Sequence, residues 1–105
     1  MPQFAIHRNP NPATKTTAPY LLDIQSDLIS DLNTRVVVPF HAAAAMKGKT
    51  LTTLTPVFTV EGKQFVMMTP QLAGIAKKKL GAKISDLSSQ RDKVIAALDL
   101  LITGI

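Results

Sequence analysis

The chain contains no cysteine and no tryptophan among its 105 residues, and only one Tyr and four Phe. Without cysteine there is no thiolate nucleophile, no disulfide staple and no thiolate zinc site, so a metal would have to rest on His and carboxylates. His7 and His41 stand far apart, without HxH or HxxxH spacing, and neither a metal nor any other cofactor is expected. Scarce aromatics leave few platforms on which single-stranded bases would stack. No apolar run approaches the roughly 20 residues of a membrane span, and the opening MPQFAIHRNPNPATK lacks a signal-peptide core. The expectation is a cytoplasmic protein with no membrane partner.

What is present suits one folded domain over residues 1–105. Hydrophobic residues make up 46% and charged residues 18% of the chain, while two separate cores would each be too small to be self-sufficient. The net charge of +5 favours anionic partners without specifying one.

Gln3 to Arg8 reads as a strand that ends at Asn9-Pro10-Asn11-Pro12, where two prolines remove backbone donors. A flexible surface loop follows to Pro19. Tyr20 to Ile24 has the apolar density of a buried strand, with a turn at Gln25-Ser26-Asp27. Asp31 to Thr34 breaks the chain before Arg35-Val36-Val37-Val38-Pro39-Phe40, the strongest β signal. His41 to Met46 suits one helical turn, closed by Gly48. Thr53 to Val60 and Lys63 to Met68 flank Glu61-Gly62, a two-residue hairpin connection. Pro70 stops that strand, and a further short strand is expected around Lys79 to Ile84.

The last element has a different period. Val94, Ile95, Leu98, Leu101 and Ile102 share one helical face behind a Ser88 N-cap, with Arg91, Lys93 and Asp99 toward water and Gly104 as the C′ residue. Several strands and one terminal helix give a mostly β, α+β fold of antiparallel strands.

The order and spacing of Leu22-Asp23-Ile24-Gln25-Ser26-Asp27-Leu28-Ile29, Thr34-Arg35-Val36-Val37-Val38-Pro39, Phe65-Val66-Met67-Met68-Thr69, Asp86-Leu87-Ser88 with Arg91, and the ending Thr103-Gly104-Ile105 closely resemble the CcdB toxins of bacterial toxin–antitoxin modules. The resemblance implies an SH3-like β-barrel with a C-terminal α-helix, shared with the MazF and Kid plasmid-maintenance toxins, and assembly as a homodimer. It further implies a type II toxin that binds the A subunit of DNA gyrase and traps the gyrase–cleaved DNA complex. Such a toxin is neutralised by a CcdA-type antitoxin, has no catalytic residues, and meets nucleic acid only through the antitoxin complex that regulates transcription. Matched residue by residue, the gyrase-binding set is Leu28, Ile29, Asp99, Thr103, Gly104 and Ile105. The antitoxin would meet the first loop through Arg8, Asn9, Asn11, Thr14 and Lys15, and the dimer interface would include Leu98, Leu101 and Ile102.

A helix that ends flush with the chain offers a carboxylate, a Gly that permits close backbone approach and an apolar anchor. Two departures stand out against a plasmid member of the family: Thr103 replaces an aromatic Trp, and Asp99 replaces a neutral amide. Both bear on the strength of gyrase poisoning.

The remaining features have plainer readings. Lys77-Lys78-Lys79 with Lys83 is a solvated loop guarding a sheet edge, or else an attractor for an acidic antitoxin or gyrase-held DNA. Met67-Met68 reads as core filling, since one side chain of an alternating pair points inward, with a soft binding surface as the alternative. Asp23 and Asp27 serve turns or caps rather than paired acid–base chemistry. Two other functions compete with gyrase poisoning: an endoribonuclease toxin of the MazF and Kid type, and a non-poisoning homologue that acts only as antitoxin partner and corepressor.

Overall fold

The computed structural model describes residues 2–46 and 51–104. Strands β1 (Ala5–Arg8), β2 (Tyr20–Asp23) and β3 (Thr34–Ala42) form the middle of one antiparallel sheet. Ile6, Leu22 and Val38 align across the three, and all are buried. Because strand residues alternate between faces, their neighbours His7, Leu21 and Pro39 align on the opposite face.

β3 carries two partners on one side. Its first half pairs with β6 (Ala73–Ala76) and its second half with β5 (Lys63–Met67). β5 in turn pairs with β4 (Val57–Val60), and β1 pairs with β7 (Lys83–Asp86). A strand shared in this way forces the sheet to curl. β4 and β7 end the ladder unpaired with each other, so the result is a half-barrel with a C-terminal helix, α2 (Arg91–Thr103).

The concave side holds the core. Phe40 stacks on Phe58 at 5.8 Å, and Val60, Phe65, Met67, Val94 and Ala97 close around them. Each large apolar side chain buried here contributes roughly 1.5–3 kcal/mol. Lys93 covers the Phe58 ring at 4.5 Å while donating to the Val57 carbonyl. Met67 is fully buried, in line with core filling.

The expected hairpin is present: Glu61 and Gly62 take φ of 50° and 80°, and Val60 faces Lys63. Positive φ at both positions matches the twist of the flanking strands. Other elements shift from expectation. β3 absorbs His41 and Ala42, leaving only α1 (Ala43–Met46) as the helical turn, and Gly48 lies outside the described residues. The strand expected from Thr53 begins at Val57, because Thr55 turns back to bond Leu51 and Pro56 follows. β6 was not expected, since Ala-Gly-Ile-Ala carries little β signal and gains its place from pairing with β3.

The strand expected at Lys79 to Ile84 lies later, at Lys83–Asp86, because Lys77–Lys79 form a 3-10 turn. Ser88 does not cap α2. Its hydroxyl and N–H donate to Asp86, holding that carboxyl below its ordinary 3.8, and Gln90 stands at the N-cap without a side-chain bond. Nor does the apolar stripe of α2 run its full length into the core. Val94 and Ala97 are buried, Ile95 and Leu98 pack partly against the core, and Leu101 and Ile102 are exposed. No helix among the described residues is long and apolar enough to cross a membrane.

Candidate functional site

Three surfaces receive the residues singled out from the sequence. The first is the end of α2. Gly104 takes the left-handed conformation, φ 75° and ψ 17°, and its N–H donates to the Leu100 carbonyl, which closes the helix. Thr103 turns its hydroxyl back to the Asp99 carbonyl at 2.7 Å, so this side chain is engaged with its own helix. Asp99 is exposed beside it, and Ile102 is 74% exposed. Ile105 lies outside the described residues.

The second surface is the turn after β2. A 3-10 turn spans Asp27–Ile29, with the Ser26 hydroxyl accepting from the Leu28 N–H. Leu28 is 96% exposed and Ile29 half exposed, which makes the turn a small apolar tip at the surface. A buried polar clamp beneath it was missed by sequence reasoning. Arg35 donates to both carboxylate oxygens of Asp23, at 2.8 and 2.9 Å, and to the Gln25 carbonyl at 3.2 Å. Gln25 donates from its side-chain amide to the Ile29 carbonyl and accepts from the Val36 N–H. Lys77 adds a bond from its ammonium to the Ser30 carbonyl.

The signal for this clamp was period-two alternation, which puts Arg35 on the face of Val37 and Pro39 and Asp23 on the face of Leu21. Asp23 is therefore a buried ion-pair partner as well as a turn former. Asp27 stays at the surface, where it accepts from the Gln3 N–H. The bonds just described tie this turn to β2, β3 and Lys77, whereas Thr103 and Gly104 are bonded back to Asp99 and Leu100 of their own helix.

The third surface is the loop between β1 and β2. In place of a loose connection, it is a run of hydrogen-bonded turns. Asn9 donates to the Thr14 hydroxyl and the Ala18 carbonyl, and its own side-chain oxygen accepts from the Asn11 N–H. Lys15 and Thr14 donate backbone N–H groups to the Asn11 carbonyl. The loop roofs a cavity of about 400 Å³ over the outer face of the sheet, where Asn9, Asn11 and Thr14 meet Leu21, Val37 and His41. Arg8 leaves this group and pairs with Glu61, which also accepts from the Tyr20 hydroxyl. Burial, then the Glu61 bond, holds that phenol above 10.0.

The histidines differ in setting. His7 is buried beside the Gly81 carbonyl, 3.0 Å from Nδ1. His41 is half-buried at the cavity, and its removal from water keeps it below its ordinary 6.5 against a smaller opposing effect of a hydrogen bond to Gln71. Of the residues expected at a dimer interface, Leu101 and Ile102 are exposed, whereas Leu98 packs partly into its own core.

Compared with known protein families, the chain matches the family model described as CcdB protein over residues 3–104.

Proposed function

This chain belongs to the CcdB family of toxin–antitoxin toxins, and on that premise we propose that it binds the A subunit of DNA gyrase as a homodimer and traps the gyrase–cleaved DNA complex. The observation that carries the reading is the exposure of apolar side chains on rigid supports. Leu28 and Ile29 stand on the Arg35–Asp23 clamp, and Leu101 and Ile102 project from the last turn of α2, beyond the part that Val94 and Ala97 anchor in the core. Rigid presentation of an apolar anchor lowers the cost of docking. A CcdA-type antitoxin neutralises the toxin in this reading, meeting it at the loop that holds Asn9, Asn11 and Thr14.

The protein acts without bond-making chemistry of its own. The test is incubation of purified protein with gyrase, supercoiled plasmid and ATP, followed by detergent and protease. Linear DNA should accumulate, and removal of Thr103 to Ile105 should abolish it; loss of the Ile105 anchor alone should cost about 2 kcal/mol of binding. Degradation of RNA without gyrase would identify a ribonuclease instead, and an inert protein would leave only an antitoxin partner.

A further inference from the structure

The cavity under the β1–β2 loop has features that gyrase binding does not use. Its floor is apolar, built from Leu21, Val37 and Pro39 of the central strands and Ile75 of β6. Its roof is fixed in advance, because Asn9 ties the two ends of the loop together through Thr14 and Ala18. Folding has already met the ordering cost that a loose loop would charge to a ligand. The volume of about 400 Å³ lies at the small end of small-molecule sites and is too confined for a folded partner.

Charge at this cavity is one-sided. Lys79 lines it, and no Asp or Glu does. Lys79 has no ion-pair partner among the described residues, whereas Lys77 of the same turn is committed to the Ser30 carbonyl. Polar side chains also line the cavity, among them Asn11, Gln71 and His41. An apolar floor rejects a fully hydrated dianion, while one ammonium at the edge complements a single negative charge.

We propose that this cavity binds a small amphipathic monoanion, an aryl- or alkyl-carboxylic acid whose hydrocarbon body lies on Leu21, Pro39 and Ile75 and whose carboxylate meets Lys79. The site goes beyond the gyrase reading and stands whether or not that reading holds.

The probe is 3-phenylpropanoate, titrated into the full chain and followed by amide NMR, with the neutral 3-phenylpropanamide as comparison. Saturable shifts are expected at Ala18, Leu21 and Ile75, with the carboxylate binding roughly threefold tighter than the amide, as for one exposed charge pair. Lys79→Gln should erase that preference while leaving amide binding in place. Ala73→Trp, which fills the cavity from β6, should abolish binding of both; if that variant does not fold, Thr17→Trp blocks it from the loop side. No saturable shift at low-millimolar probe overturns the proposal. So do shifts centred on Leu101 and Ile102, or shifts of the cavity residues that follow protein concentration without probe, which would mean that a second copy of the chain fills the space.

Discussion

Arg35 and Asp23 join through two hydrogen bonds, 2.8 and 2.9 Å long, with neither side chain exposed to solvent. The pair sits where β2 and β3 diverge, and the same guanidinium holds the Gln25 carbonyl at the root of the Leu28 turn. A buried ion pair repays its desolvation only when both partners remain, so removing one leaves an uncompensated charge. Asp23→Ala should therefore cost about 3–5 kcal/mol in denaturant unfolding.

The double variant Asp23→Leu with Arg35→Met separates stability from positioning. Apolar replacement should recover much of the lost stability, since two matched hydrophobes avoid the desolvation penalty. The turn, however, loses its hold on Gln25. Hydrogen exchange at the Leu28 and Ile29 amides should accelerate in the refolded double variant; unchanged protection would mean that Ser26 and Gln25 suffice to fix the tip.

Gly81 offers a second check on close packing. Its N–H donates to the Arg8 carbonyl at 3.0 Å, and a Cβ placed on it would fall 2.5 Å from that same oxygen. The obstacle is backbone, which cannot rotate aside. Gly81→Ala should thus destabilise the β1–β7 edge by about 1–3 kcal/mol, the usual cost of overpacking. A melting temperature equal to that of the parent would show that the edge yields freely.

Much of this fold was legible because its strands carry clear signals. The valine run of β3, the Glu61-Gly62 turn and the helical period of α2 each name their element. β6 was not legible, since Ala73–Ala76 becomes a strand only through its partner. The helical period puts the apolar stripe of α2 on one face, yet the core contacts end near Leu98, and periodicity alone does not say how far a neighbour extends. The clamp escaped for a related reason: Arg35 and Asp23 are twelve positions apart, and only strand register brings them together. The positions of Leu28, Ile29 and Asn9 to Thr14 followed from family resemblance, and their supports emerged only in the folded chain.

His41 should report its burial through titration. Removal from water disfavours the imidazolium, so its folded value lies below the ordinary 6.5, while the Gln71 hydrogen bond works against that shift. Between the two values the unfolded chain binds more protons, so stability falls as pH drops through 6.5 and levels off below the folded value. NMR titration should place His41 under 6.5, and Gln71→Ala should lower it further. His41→Gln should flatten the pH dependence of unfolding in that window, and a parent value above 6.5 would contradict the assignment.

The exposed end of α2 tests assembly apart from folding. Ile102 is 74% exposed and Leu101 lies beside it in sequence, while the helix is anchored upstream by Val94 and Ala97. A charge at position 102 should leave those anchors untouched, so Ile102→Asp should change the stability of the isolated protomer by no more than about 0.5 kcal/mol. Should the homodimer use this surface, the substitution converts it to a monomer in sedimentation equilibrium. Its melting temperature should also cease to rise with protein concentration, because mass action no longer favours the folded pair. A variant that still sediments as a dimer would move the interface away from the end of α2, and with it the argument that two such ends face gyrase together.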